Sequence, residues 1–165
     1  MRDVICFHNP EEINGYLSNW YLSEFEVGGV TYSSMEQYMM YQKAVLFGDD
    51  EIARQILETS DVGKIKAFGR AVKGYDDLIW NGLRQIIVYQ GLFEKFSQNE
   101  ALKKELLATK HHLLAECAVQ DKIWGIGLSM KDERRFDRAQ WQGQNLLGFS
   151  LMSVRAELAQ DFRIL

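Results

Sequence analysis

The stretch Ser34–Gly48, SMEQYMMYQKAVLFG, does more than any other part of this 165-residue sequence to define the fold. Read as a helix at about 100° per residue, its Glu36 and Lys43 fall in the middle of one side. Charges are costly to bury unless they are paired or used. The stretch therefore predicts a core-facing helix whose two charges serve chemistry, reach a cavity or extend to solvent. The apolar residues on that same side are Met35, Met39, Met40, Leu46 and Phe47.

Signals on both sides of this stretch set the ends of the helix and the strands before it. Gly28 and Gly29 separate two short β-prone runs, which predicts a tight hairpin. Ser33 and Ser34 each precede a Glu or Gln by three residues, a capping-box pattern at a helix start. Gly48 predicts the end of the helix.

The rest of the chain predicts mostly helix. Strands are expected at 4–9 and 112–117, and a glycine-rich loop at 121–129. Helices are expected at 49–58, 61–72 (interrupted by two glycines), 76–99, 100–109 and 145–162, the last capped by Asn145. On the long helix the predicted core residues are Leu78, Ile79, Leu83, Ile86, Ile87, Leu92, Phe93 and Phe96. These patterns predict a helix-rich α+β fold with a small antiparallel sheet, as a single domain over residues 1–165.

Composition and charge narrow the function classes. The 23 acidic and 19 basic residues give a net charge of −4, which argues against a broad basic face for duplex DNA. The charge balance remains compatible with a local pocket that binds a small anionic ligand or one extruded nucleotide. The sequence lacks a signal peptide and any run of about 20 apolar residues, so we expect a cytoplasmic protein without membrane association.

The cysteines and histidines give no metal-binding pattern. Cys6 and Cys117 stand apart, which is typical of a reduced compartment. His8 is alone, and His111 and His112 are adjacent without a second pair at zinc-like spacing. We therefore expect no metal and no cofactor.

Two glycine-containing loops are candidate binding sites. In DKIWGIGLS, Trp124 offers a stacking surface, while Gly125 and Gly127 let a backbone approach a ligand. A turn around a core tryptophan is the alternative, and GIGLSM lacks the third glycine of a dinucleotide fingerprint. In WQGQNLLG, Gln144 and Asn145 precede a predicted helix, where free N–H groups favour a phosphate or a simple cap.

Other polar residues are candidates for binding an anion. Ser18 and Asn19 lie beside Trp20 in LSNWY. Arg70 follows a glycine, and Lys95 lies near the end of the long helix. Each charge alone is better explained as a surface charge.

The order of these motifs along the chain resembles the NADAR (YbiA-like) family over nearly the whole sequence, from residue 7 to 158. The most specific elements are E-x-Y-x3-Q-K, which ends at Lys43, and W-G-x-G followed by G-x-N-x-L-G. The full series is Ser18-Asn19-Trp20, Ser34-x-Glu36-x-Tyr38-x3-Gln42-Lys43, Gly69-Arg70, Trp80, Lys95-Phe96, Leu107-x-Thr109, Glu116, Asp121-x2-Trp124-Gly125-x-Gly127 and Gly143-x-Asn145-x-Leu147-Gly148.

The resemblance implies a mostly helical α+β fold and an N-glycosidase. Such enzymes cleave the bond between a ribose anomeric carbon and an exocyclic nitrogen. The implied substrates are ribosylamino-pyrimidine phosphates of riboflavin synthesis, or ADP-ribose on guanine in nucleic acid. Some family members act as antitoxins, so a DNA ADP-ribosyltransferase toxin is a candidate partner. Ala118 stands where many relatives have Ser or Thr, which bears on the substrate.

The resemblance also assigns roles to residues. Lys43, Glu36 and Asp121 are the predicted catalytic residues. The predicted substrate-binding residues are Ser18, Asn19, Trp20, Arg70, Lys95, Trp124, Gly125, Gly127, Gly143, Gln144, Asn145 and Gly148.

The sequence leaves two mechanisms and two functions open. A neutral Lys43 in an apolar pocket can attack a ring-opened ribosylamine and form a Schiff base, with Glu36 or Asp121 moving protons. Alternatively, one of those carboxylates activates water, and the lysine only holds the ribose or a phosphate. A non-catalytic ADP-ribose or nucleotide-binding module is the rival function, and a purely structural role leaves the charges unexplained.

Overall fold

The computed structural model describes residues 4–161. Its elements confirm the α+β class, and the chain divides into two compact units. One is the continuous segment Leu22–Gln98, and the other combines the chain up to Tyr21 with the chain from Asn99 onward. The elements are β1 (Val4–Phe7), β2 (Leu22–Val27), β3 (Val30–Ser34), α1 (Met35–Leu46), α2 (Asp50–Leu57), α3 (Val62–Arg70), α4 (Asp77–Gln98), α5 (Glu100–Ala108), β4 (Leu113–Glu116) and α6 (Leu146–Leu158).

The continuous unit begins with the predicted hairpin. β2 and β3 pair antiparallel, with Val27 opposite Val30. The two turn residues, Gly28 and Gly29, have φ angles of 59° and 82°. Positive φ at both central positions is typical of the type I′ turn that matches the strand twist, so the hairpin prediction is confirmed with its reason.

Helix α1 begins and ends where the sequence predicts. Ser34 Oγ accepts a hydrogen bond from the Gln37 amide at 3.1 Å, and Gln37 Oε1 accepts one from the Ser33 amide at 2.6 Å. The capping box is thus confirmed, with the glutamine bonded one residue further out than usual. Gln37 Nε2 also donates to the Ile56 and Thr59 carbonyl oxygens, which joins the start of α1 to the end of α2.

The predicted core face of α4 is wrong in its first half. Leu78 and Ile86 are 84% and 57% exposed, and Ile79 and Leu83 are exposed as well. The buried stripe instead contains Trp80, Arg84, Val88, Gly91, Leu92, Lys95 and Phe96. Two cations on this stripe hide it from a search for apolar periodicity. The side of α4 that carries charge therefore faces inward.

The discontinuous unit contains a parallel strand pair, which the expectation of an antiparallel sheet missed. β1 and β4 pair in register from Val4 opposite Leu113 to Phe7 opposite Glu116. Helix α6 packs on β4 and ends at Leu158, whereas the predicted end at residue 162 lies outside the described residues. A buried cluster in this unit comprises Cys6, Ala115, Cys117, Ile126 and Leu128.

Within residues 4–161, no helix combines the length and apolar character that a membrane crossing requires.

Candidate active site

The two charges of α1 lie in the continuous unit, on the side of the helix that the sequence predicts. Glu36 is 4% exposed, and Lys43 is half-buried. Lys43 Nζ donates a hydrogen bond to the Gly69 carbonyl oxygen at 2.8 Å. Gly69 lies against Met40, whose Sδ would be 1.8 Å from any Cβ at that position. The missing side chain thus lets α3 approach α1 closely beside the lysine.

Two aromatic rings surround the Lys43 ammonium. Nζ lies 4.4 Å from the centroid of the Tyr75 ring and 5.7 Å from that of Trp80. The Tyr75 hydroxyl donates to Asp77 Oδ1 at 2.7 Å. Flat rings attract a cation, and they also exclude water from the amine. The lysine is therefore held in place while losing much of its hydration.

This environment lowers the pKa of Lys43 below its usual value, chiefly because burial removes water from the charged amine. The negative charges of Asp77 and Glu36 act in the opposite direction. A lower pKa increases the fraction of neutral amine at a given pH, and only the neutral amine is a nucleophile. The geometry thus fits the predicted nucleophilic role.

The predicted anion contacts in this unit have different environments. Arg70 is exposed at the end of α3, and its binding role stays a prediction. Lys95 has no exposed surface, so a direct substrate contact does not fit its position. Burial lowers the pKa of Lys95 to about 7. The sequence alone suggested a surface cation, because the inward stripe of α4 was misassigned.

The burial of Lys95 predicts a stability that depends on pH. Between pH 7 and 10.5 the unfolded chain holds a proton on this lysine that the folded chain has lost. The free energy of unfolding should therefore rise with pH in that range, by at most about 1.4 kcal/mol per pH unit, and should show no such slope below pH 7. Denaturant unfolding of wild type and Lys95→Met at pH 6.5–9.5 checks this.

In Lys95→Met, the free energy of unfolding should lack the part of its rise with pH that is due to this lysine. The exposed Lys104 of α5 provides the control, because Lys104→Met removes a lysine from the surface and should keep the wild-type slope. Equal slopes in all three proteins would contradict the pKa near neutrality.

The discontinuous unit contains the predicted Asp121–Gly127 loop. Asp121 Oδ1 accepts hydrogen bonds from the amides of Ile123 and Trp124 at 2.9 and 2.8 Å. One carboxylate oxygen thus orders the turn that presents the half-buried Trp124. The catalytic role of Asp121 and the stacking role of Trp124 stay predictions.

Asn145 is a structural residue at the start of α6. Its Oδ1 accepts from the Glu116 amide at 3.1 Å, and its Nδ2 donates to the Leu114 carbonyl oxygen at 2.9 Å. The residue has no exposed surface and a φ of 54°, a left-handed conformation that asparagine tolerates better than most residues. Its side chain joins β4 to α6 and does not cap the helix.

The backbone donors expected to bind a phosphate also have other acceptors. The amides of residues 144–147 donate to carbonyl oxygens within Lys122–Gly125 at 2.8–3.2 Å. These bonds give no support to the phosphate role of these groups and of Asn145, which stays a prediction. Gln144 is exposed, and the binding role of its side chain stays a prediction.

The glycines of these loops allow close packing between backbone segments. A Cβ at Gly143 would lie 2.2 Å from the Gly125 carbonyl oxygen, and one at Gly148 would lie 2.0 Å from that of Leu114. Gly127 has a φ of 71°. Packing within the protein thus requires glycine at these positions, and their predicted contacts with a ligand stay predictions.

Asn145→Ala should destabilise the protein by about 2–5 kcal/mol, because it leaves two buried backbone groups without partners and puts alanine in a left-handed conformation. The neighbouring exposed Gln144→Ala is the matched control and should change stability by less than about 0.5 kcal/mol. Chemical denaturation of both variants measures this. A near-neutral Asn145→Ala would show that the link between β4 and α6 contributes little.

The Ser18–Trp20 segment contains a buried acceptor. Ser18 Oγ accepts from the Trp20 amide at 3.2 Å, which fixes the turn. Asn19 is buried, and its Oδ1 has no donor among the described residues. A buried amide oxygen without a donor fits the predicted substrate-binding role, because a ligand hydroxyl would supply the missing bond.

Two polar features escaped the sequence reasoning. His8 Nδ1 and Glu116 Oε1 are 2.8 Å apart, and this bond to Glu116 raises the pKa of His8 above its usual value. No sequence signal connects residues so distant along the chain. Arg84, the second feature, lies one helical turn after Trp80 on the inward side of α4, and its i, i+4 spacing was the available signal.

Among residues 4–161, no group of three or more His, Cys, Asp and Glu side chains is arranged to hold a metal ion.

The sequence profile of the NADAR domain matches residues 6–159. The chain belongs to the NADAR family. An N-glycosidase of Acanthamoeba polyphaga mimivirus is 44% identical over 129 residues, which cover 78% of this chain and 76% of the viral protein. A riboflavin biosynthesis protein of Vibrio vulnificus is 31% identical over 97% of this chain and 40% of its own length.

A solved structure has the same fold. The NMR structure of Escherichia coli YbiA has a TM-score of 0.79 at 28% identity, and the match covers 97% of this chain and 88% of that one. YbiA is itself named an N-glycosidase. The fold and family predicted from sequence are confirmed.

Proposed function

We propose that this NADAR protein is a hydrolase that cleaves the bond between the anomeric carbon of a ribose and the exocyclic nitrogen of a base. The observation that carries the proposal is Lys43, a lysine of lowered pKa next to two aromatic rings, on the same helix as the buried Glu36. The names of the mimiviral and Escherichia coli relatives support the same reaction class.

The proposed reaction proceeds through a Schiff base on Lys43. The ring oxygen takes up a proton as the ribosylamine opens to an imine, and the neutral amine then attacks C1. The C1–nitrogen bond to the base breaks, and the base leaves as a free amine. Water then attacks the lysine–C1 imine, which releases the sugar aldehyde and restores the lysine. The sum is substrate plus water giving ribose phosphate plus amine.

The environment of Lys43 suits this chemistry. The Gly69 carbonyl accepts one N–H of the amine and so orients it, while the nitrogen lone pair of the neutral form stays available for attack. Glu36 is the carboxylate on the same helix whose charge acts on the lysine. We assign it the proton transfers to and from the ring oxygen and the departing nitrogen.

Ribosylamino-pyrimidine phosphates of riboflavin synthesis are the proposed substrates. The Vibrio vulnificus relative, named for riboflavin biosynthesis, supports this choice, and the net charge of −4 disfavours a nucleic-acid surface. ADP-ribose on guanine is the second candidate class. An antitoxin role opposite a DNA ADP-ribosyltransferase belongs to that second candidate.

The test is to incubate the purified protein with each substrate class separately. Release of ribose phosphate and free amine from the ribosylamino-pyrimidine phosphate would support the proposal. Release of ADP-ribose from modified guanine alone would support the second candidate. Binding of either compound without turnover would instead support the non-catalytic module.

A further inference from the structure

We propose that Arg84 binds a phosphate group carried by the ribosyl substrate, which makes it the anion-recognition residue of this site. The inference rests on the proposed function and names the substrate class more closely as phosphorylated ribosides. Three other candidates for binding the phosphate are less suitable. Arg70 is exposed, and Lys95 has no exposed surface. The amides at the start of α6 already donate to carbonyl oxygens of the protein.

The first observation is a buried guanidinium with an unused donor. Arg84 is 9% exposed, and its Nε has no hydrogen-bond partner among the described residues. Nor does any carboxylate in the described part of the chain form an ion pair with it. Leaving a charged donor buried and unpaired is costly. A bound anion would remove that cost, because guanidinium groups match phosphate oxygens in charge and geometry.

The second observation is the position of Arg84 on α4, close along the helix to a residue whose ring lies near Lys43. Arg84 and Trp80 share the inward side of α4 at i, i+4 spacing, and the Trp80 ring lies 5.7 Å from Lys43 Nζ. The positive charge of Arg84 also acts on the Tyr75 hydroxyl, whose ring contacts the same Nζ. Arg84 thus lies one helical turn from the ring of Trp80, on the same side of α4.

This arrangement gives the two cations different tasks. Lys43 can lose its proton and react, since burial lowers its pKa, whereas an arginine stays charged throughout the pH range of proteins. The phosphate of a ribose 5-phosphate group is attached at the end of the sugar opposite to C1. With C1 at Lys43, a permanently charged group one helical turn after Trp80 on the buried side of α4 is suited to hold that phosphate.

The experiment compares steady-state hydrolysis of a ribosylamino-pyrimidine 5′-phosphate with that of its dephosphorylated form. For the phosphorylated substrate, Arg84→Gln should raise KM by about 10–100-fold, the size of a lost charge-assisted hydrogen bond. For the dephosphorylated substrate, kcat/KM should be within about twofold of wild type. For the phosphorylated substrate, the KM of Arg84→Lys should lie between those of wild type and Arg84→Gln. Lysine keeps the positive charge but lacks the paired N–H donors of a guanidinium group. The exposed Arg54→Gln is the control and should affect neither substrate.

Equal losses on both substrates would overturn the proposal, as would an unchanged KM for the phosphorylated one. Thermal unfolding of each variant separates misfolding from lost binding. Should wild type hydrolyse neither substrate, the proposed function fails, and equilibrium binding of ribose 5-phosphate still tests Arg84. Weaker binding by Arg84→Gln would support the phosphate site, and equal binding would overturn it. The same assay with ADP-ribose shows whether a monophosphate or a diphosphate is the preferred ligand.

Discussion

Lys43→Ala is expected to lower turnover by at least about 10³-fold while leaving a folded protein that still binds product. The reason is that the variant lacks the amine that the proposed mechanism joins to C1. Single-turnover kinetics on the ribosylamino-pyrimidine phosphate measures the loss. Lys64→Ala on α3 removes an exposed lysine and serves as the control for general effects of lost charge. Near-normal turnover of Lys43→Ala would refute both the nucleophilic and the positioning role.

The covalent step makes a further demand on the wild-type protein. A lysine imine is reduced by borohydride to a stable secondary amine, so treatment during turnover should leave the ribosyl group on Lys43. Mass spectrometry of proteolytic fragments locates the adduct. Active turnover without an adduct would favour direct attack by water, with Lys43 holding the sugar.

Glu36→Gln is expected to reduce kcat by about 10²–10⁴-fold, the range typical of a lost acid–base group. The amide keeps the size of the buried side chain and removes its charge. Because that charge raises the pKa of Lys43, its loss should move the lysine's limb of the residual pH–rate profile to lower pH. An exposed carboxylate on β2 gives the control, Glu26→Gln, which should leave both rate and profile unchanged.

The direction of that pH shift distinguishes two roles for Glu36. A carboxylate that merely supports the fold would change stability without moving the profile of the remaining activity. A profile displaced to higher pH would contradict the electrostatic link between the two residues of α1.

Local patterns were sufficient to predict much of this fold. The Gly28–Gly29 turn, the Ser34 cap and the end of α1 near Gly48 each depend on residues a few positions apart, and the structure has all three. The inward side of α4 could not be found in this way. Its stripe contains Arg84 and Lys95, and apolar periodicity gives charged residues no weight. Their burial depends on tertiary packing, which periodicity does not describe.

The same limit applies to the candidate site. Glu36 and Lys43 could be placed on one side of α1 because both lie on one helix. The partners of Asn145 could not be predicted, because an asparagine before a helix is usually a cap and its actual partners lie on β4, about 30 positions earlier. The close packing at the glycines of the two loops could not be predicted for a related reason. Glycine allows the close approach of either a backbone segment or a ligand. The sequence alone does not show which of the two is present.

The parallel pairing of β1 with β4 has a consequence for how the chain folds during synthesis. Val4 pairs with Leu113, so the first strand leaves the ribosome long before its partner exists. At about 5–20 residues per second this interval is on the order of 5–20 s. All residues of the Leu22–Gln98 unit are made within it, and their contacts are closer along the chain, which favours early folding. We expect β1 to be the strand most open to chaperones and proteases on the nascent chain.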